Sequence, residues 1–108
     1  MADTVMIAQT ILTDEDKAYQ LARGAVESRL AAGAQVEARM TLFHWEGGKL
    51  RHERGYRVSL QTTEARLEEL RAWAHADHTS PIPQWVVLPV TETTEEYLGW
   101  VVKETGGA

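Results

Sequence analysis

The feature that most constrains the fold is a long alternating segment from Gln35 to Thr62, with two adjacent glycines near its middle. Apolar and polar residues alternate from Gln35 to Trp45, and the alternation resumes from Leu50 to Thr62. A period of two is typical of strands, and a Gly-Gly pair between two such runs is a hairpin signal. The pattern therefore predicts two long antiparallel strands joined at Gly47-Gly48.

A strand and a helix precede this hairpin. Residues Thr4 to Leu12 are rich in β-branched side chains and apolar on both alternating sets, which predicts a central strand covered on both faces. Thr13 is the predicted N-cap of the helix, with Asp16 in the capping-box position, and Gly33 is predicted to end it. The apolar stripe of this helix consists of Ala18, Leu21, Ala22, Ala25, Val26 and Leu30.

Two helices and a strand follow the hairpin. Thr62 or Thr63 is predicted to cap a helix that ends before Pro81 and carries Leu67, Leu70, Trp73 and Ala74 on one face. Trp85 to Leu88 is predicted to be a buried strand, and Thr93 is the predicted N-cap of a last helix with Tyr97, Leu98 and Val101 inward. The tail Gly106-Gly107-Ala108 is expected to fray.

The order of these elements predicts an α+β fold, a ferredoxin-like βαββαβ sandwich with an additional C-terminal helix. It contains two split βαβ units, which place helices on one face of an antiparallel sheet. The other face has no helices of its own, although its strands read as apolar on both sides, so a homo-oligomer is expected to cover it. Trp45, Trp85 and Trp100 are predicted to anchor the core or subunit contacts.

Composition narrows the class of protein. At 108 residues the chain is expected to form one domain spanning residues 1–108, and the absence of cysteine excludes disulfides, thiolate metal sites and a thiol nucleophile. A formal charge of −5 argues against nucleic acid and anionic membranes as partners. No membrane span and no basic signal region are recognisable, so a cytoplasmic location is expected.

Four segments resemble the CutA divalent-cation-tolerance family. They are Glu27 to Ala32, Phe43-His44-Trp45-Glu46-Gly47, Val87-Leu88-Pro89-Val90 and Glu96-Tyr97-Leu98-Gly99-Trp100, and their order and spacing match across about Val5 to Val101. The resemblance implies a ferredoxin-like homotrimer with clefts between subunits, similar in architecture to the signalling protein PII. It also implies a role in tolerance of, or response to, divalent metals, notably copper.

The chain departs from that family at several polar positions. Where members with proposed copper ligands carry Cys, His and Glu, this sequence has Thr10, Asp77 or His78, and Gln84, so a thiolate and a carboxylate are missing. Gly33 replaces a second family cysteine. In the cleft, Phe43 replaces the usual Tyr, and Gln61 replaces a Lys. By alignment to these changes, the candidate ligand-binding residues of the cleft are Phe43, Trp45, Gln61, His78 and Gln84.

Four histidines are the remaining candidates for chemistry. His75 and His78 are spaced so that two imidazoles could bind one metal ion, with Asp77 adding an oxygen, or they could be solvated partners of a helix C-terminus. His44 and His52 flank the hairpin turn, where they could carry protons or be ordinary exposed strand residues. No complete metal-ligand set is assigned; copper or zinc is the open possibility for a cofactor.

Three hypotheses follow for function. The first is a non-catalytic CutA-like trimer that responds to divalent cations and binds a small ligand in its intersubunit clefts. The second is a specialised enzyme that uses the remodelled cleft, with His44 or His78 as acid or base, which requires a histidine hydrogen-bonded within a closed pocket. The third is a purely structural trimer whose clefts are filled by side chains.

Overall fold

In the part of the chain that the structure describes, four strands and three helices follow one another in the predicted order. The computed structural model describes residues 4–76, 78, 80 and 82–106. The elements are β1 (Val5–Leu12), α1 (Glu15–Glu27), β2 (Gly33–Glu46), β3 (Lys49–Thr63), a 3-10 turn (Glu64–Arg66), α2 (Leu67–Ala76), β4 (Val86–Pro89) and α3 (Glu95–Glu104). None of the helices in these described ranges is long and apolar enough to cross a membrane.

The strands form one antiparallel sheet in the order β2-β3-β1-β4. This order places the first strand between the third and the fourth, because each helix carries the chain across the sheet before the next strand pairs. The α+β, ferredoxin-like arrangement predicted from the element order is therefore confirmed. The central position predicted for β1 is confirmed as well.

The hairpin is longer than the rest of the sheet. Gly47 and Gly48 form its turn with φ of 59° and 77°, the left-handed region that a two-residue turn of this kind requires. Pairing between β2 and β3 continues to Glu46 and Lys49, whereas pairing of β3 with β1 stops at Tyr56. Residues 40–55 therefore project from the sheet as a two-stranded ribbon, which we call the hairpin arm.

The main core lies between the sheet and the helices α1 and α2. The sheet contributes side chains from alternate positions of β1 and β3. These residues face each other in the sheet as three pairs: Ala8 with Leu60, Thr10 with Val58, and Leu12 with Tyr56. The helices α1 and α2 contribute Leu21, Ala22, Ala25, Leu70 and Ala74 to the same core. The strict alternation of β3 thus places one set of its side chains in this core.

The opposite side of the sheet, which we call the open face, is only partly covered. It carries Ile7, Gln9 and Ile11 of β1, Ser59 and Gln61 of β3, and Val86 and Leu88 of β4. Helix α3 covers one end of this face. Its Val101 is buried with Val5 and Ala32. Its Trp100 ring packs close to Gly33, where an added Cβ would lie only 3.2 Å from the ring. The expectation of apolar strands on both sides is wrong for β3, which contributes polar side chains here.

The ends of α1 differ from the prediction. Asp14, and not Thr13, is the N-cap, and its Oδ1 accepts a hydrogen bond from the Lys17 N–H at 3.1 Å. The helix ends at Glu27, where Arg29 takes a left-handed φ of 66° and the next amide returns to the Ala25 carbonyl. Gly33 is thereby left to begin β2 opposite Gln61.

The starts of the later helices and of β4 also differ from the predicted ones by a residue or more. Thr94, and not Thr93, caps α3, with its hydroxyl accepting from the Tyr97 N–H at 3.2 Å. Thr63 precedes the 3-10 turn without a side-chain cap. Strand β4 begins at Val86, so Trp85 lies just before it. The prediction that this strand is buried is wrong within one protomer, because its Leu88 is 43% exposed on the open face. Asp77, Pro81, Gly107 and Ala108 lie outside the described residues.

Candidate functional site

A histidine connects the segment after α2 to the middle of β1. His78 Nε2 lies 3.1 Å from the hydroxyl of Thr10, which is fully buried, while His78 Nδ1 accepts from the Ser80 N–H at 3.2 Å. Because Nδ1 is an acceptor, the neutral ring carries its proton on Nε2 and donates it to Thr10 Oγ1. Two positions singled out from the sequence, Thr10 and His78, are therefore in contact.

A second imidazole and an indole lie beside this contact. The rings of His75 and His78 are stacked with centroids 6.2 Å apart, and Trp85 meets His75 edge-on at 5.2 Å. His75 Nδ1 lies 2.8 Å from the Arg71 carbonyl and donates to it, so its Nε2 keeps a lone pair for a metal ion. Across the residues that the structure describes, no group of three or more His, Asp or Glu side chains could hold a metal; the predicted third ligand, Asp77, is not among them.

The environment of His78 opposes its charged form. Burial lowers the pKa of His78 below its ordinary value, and the neighbouring His75 lowers it further, while a hydrogen bond to the Ile11 carbonyl acts in the opposite direction. The net direction favours a neutral imidazole near neutral pH. A neutral ring is also the form that can accept from Ser80 and donate to Thr10.

Acid is expected to weaken the folded state through His78. Since its pKa is lower in the folded than in the unfolded chain, where it is about 6.5, the unfolded state binds the proton first as the pH falls. This stability is fully present above about pH 6.5 and is lost as the pH drops towards the lower folded pKa. Urea unfolding across this range should show a smaller pH dependence in His78→Gln; an unchanged dependence would contradict the assignment.

Gln61, another predicted ligand residue, belongs to a row of polar side chains across the open face. It is 5% exposed, and its Nε2 donates to Gln35 Oε1 at 3.2 Å. On the same face of β3, Gln9 donates to Ser59 next to Gln61, and Arg57 donates to Glu37 beyond that, each at 3.2 Å. The sequence reasoning missed this pairing, although the alternation of polar residues in β3 was the signal for it.

Phe43 and Trp45 lie far from Gln61, on the hairpin arm. They are 69% and 74% exposed, and the Phe43 ring stacks on His52 at 5.8 Å. Phe43 pairs with His52, nine residues from Gln61 along β3, so the two places are roughly 30 Å apart. Gln84 is exposed in the segment before β4. One protomer therefore does not bring the five predicted cleft residues together, and a shared site would need a second copy.

The enzyme hypothesis requires a histidine that is hydrogen-bonded within a closed pocket. His44 Nε2 lies 3.4 Å from Glu53 on the hairpin arm, with 37% of its side chain exposed. A pocket of about 260 Å³ lies between α1 and α2, and neither His44 nor His78 lines it.

The sheet order, the two helices on one face and the third helix at the end of the other define a ferredoxin-like α+β protein. Solved structures share this architecture: CutA1 from Ehrlichia chaffeensis superimposes with a TM-score of 0.93 at 17% identity, covering 98% of this chain and 99% of that one. A divalent cation tolerance protein (CutA1) from Thermus thermophilus gives a TM-score of 0.86 at 27% identity, covering 97% and 100%.

Sequence comparison identifies the family. The model of the family described as CutA1 divalent ion tolerance protein matches residues 6–104. A divalent-cation tolerance protein CutA from Escherichia coli O45:K1 is 31% identical over 99 residues, covering 91% of this chain and 88% of the relative. The Thermus thermophilus protein is 29% identical over 107 residues, covering 98% and 100%. The chain belongs to the CutA1 divalent ion tolerance family.

Proposed function

We propose that this protein acts in tolerance of divalent metal cations, copper among them, as a homotrimer without catalytic activity. The family match over residues 6–104 carries the proposal, and the curated relatives are named for divalent-cation tolerance. A PII-like role in signalling, a cytoplasmic location and a single domain over residues 1–108 remain predictions from the sequence.

The open face supports self-association. Val86 and Leu88 are 39% and 43% exposed there, beside Ile7 and Ile11 of β1, and α3 covers only the other end. Removing apolar side chains from water is favourable, so covering them would stabilise an assembly of this chain. A second copy of the same chain supplies a matching surface. The polar row next to them offers hydrogen-bonding groups that could set the register between copies.

A cleft between copies is the proposed place for a small ligand. The hairpin arm projects beyond its own sheet, so Phe43 and Trp45 can reach a neighbouring protomer, while Gln61, His78 and Gln84 remain on the body. Aromatic rings paired with amide and imidazole groups suit a flat, polar small molecule. The five residues stay a prediction whose test is ligand binding by the assembled protein.

Direct metal binding is tested by calorimetric titration of the metal-free protein with copper(II) and zinc(II). We expect saturable copper binding only in the micromolar range or weaker. His75 and His78 provide only part of a four-ligand set, and His78 must give up its hydrogen bond from the Ser80 N–H before its Nδ1 can bind a cation. His75→Ala and His78→Ala are each expected to abolish it.

The matched control is His52→Ala, which removes an exposed histidine from the hairpin arm and is expected to leave the titration unchanged. Copper binding that survives both His75→Ala and His78→Ala would assign the metal to other residues. Absence of binding to the parent protein would mean that the histidine pair does not contact the cation.

A further inference from the structure

The pocket between α1 and α2 lies on the helical side of the sheet, opposite the open face, and neither histidine of the pair lines it. Its six lining residues are Leu12 at the end of β1, Lys17, Gln20 and Leu21 of α1, and Trp73 and Ala74 of α2. Its volume of about 260 Å³ is close to the roughly 300 Å³ from which small-molecule pockets begin. A molecule of one or two fused rings matches that size.

The Trp73 ring forms a wall of this pocket because α1 has a glycine beside it. A Cβ on Gly24 would lie 2.8 Å from Trp73 Cζ2 and 2.9 Å from Cη2, closer than carbon atoms approach without displacement. The ring therefore lies directly against the α1 backbone. It is 37% exposed, so part of the indole stays available to a second flat ring.

The polar groups of the pocket favour an anion. Lys17 is the one charged residue among the six that line it, and Gln20 adds an amide that can donate or accept. Within the described ranges, neither side chain has a hydrogen bond or ion pair to another part of the chain. Leu12, Leu21 and Ala74 supply apolar lining for the body of a ligand.

From these contacts we propose that the pocket binds a small planar aromatic carboxylate. Its ring stacks on Trp73 and contacts the leucines, and its carboxylate accepts hydrogen bonds from the Lys17 ammonium and the Gln20 amide. This site is separate from the proposed metal and cleft functions and does not depend on them.

Binding is tested with indole-3-carboxylate, followed by the indole N–H signals in two-dimensional ¹H-¹⁵N NMR spectra. The Trp73 signal is assigned by its absence from Trp73→Phe. We expect that signal to shift saturably, with a dissociation constant of about 1 mM, as for a small ligand on a half-open site. Lys17→Gln is expected to weaken binding about fivefold, and Gly24→Ala to weaken it by displacing the ring.

Two controls separate a specific carboxylate site from general attraction. Arg23→Gln removes another basic side chain of α1, one that pairs with Glu27 and does not line the pocket, and it should leave the affinity unchanged. The neutral indole-3-carboxamide should bind more weakly than the carboxylate to the parent. The proposal is overturned if the Trp73 signal does not saturate by about 10 mM, if Lys17→Gln binds like the parent, or if the carboxamide binds equally well.

Discussion

Replacing Leu60 by alanine is expected to lower the free energy of unfolding by about 2–5 kcal/mol. Leu60 is fully buried in the main core, at the centre of β3, between Ala8 of β1 and Ala34 of β2. Since both cross-strand neighbours are small, they cannot fill the cavity that the truncation leaves. Urea unfolding followed by circular dichroism measures the change.

The control for this core truncation is Ile82→Ala, which removes apolar carbons from a side chain that is 87% exposed. Its expected effect is within about 0.5 kcal/mol. All forms must be compared at one protomer concentration, because assembly makes the apparent stability concentration-dependent. If Leu60→Ala lowers the free energy of unfolding no more than Ile82→Ala does, Leu60 does not lie in the main core.

Replacing Leu88 by lysine is expected to convert the assembled protein to monomers. Leu88 is on the open face, opposite Ile7, and its exposure in one protomer means that the lysine can remain solvated in the folded monomer. Burying that charge between copies, without a partner, would cost several kcal/mol at each contact. Light scattering coupled to size exclusion at about 10 µM protomer measures the mass.

Tyr19→Lys is the matched control, because Tyr19 is 50% exposed on α1, in the helical layer. It is expected to keep the parent mass. Circular dichroism checks that Leu88→Lys is folded, and Val86→Lys provides a second variant on the same face should the first one unfold. A monomeric parent, or a Leu88→Lys protein of unchanged mass, would exclude assembly through the open face.

The strand pattern was the most informative part of the sequence for the fold. The alternation from Gln35 to Thr62 and the Gly47-Gly48 turn predicted the hairpin, and the observed strands extend it only by a few residues. Helix ends were less predictable. Thr13 and Asp14 are both good N-caps, and only the backbone leaving β1 after Leu12 selects the second.

The candidate site was less accessible to sequence reasoning. Spacing placed His75 and His78 near each other, and they are stacked. Their remaining partners come from distant parts of the chain: Thr10 from β1 and Trp85 from the segment before β4. Such contacts join residues far apart in sequence, for which a local pattern carries no signal.

By itself, the sequence determined the types and order of the elements, the ferredoxin-like class and the family, because these follow from local periodicity, turn residues and short motifs. Only the tertiary structure decided which side chains share a surface. The register of β1 against β3 pairs Gln9 with Ser59 on the open face, while the approach of Trp73 to Gly24 shapes the pocket behind it. Those outcomes depend on how separate elements pack, and a single chain's local pattern does not specify that packing.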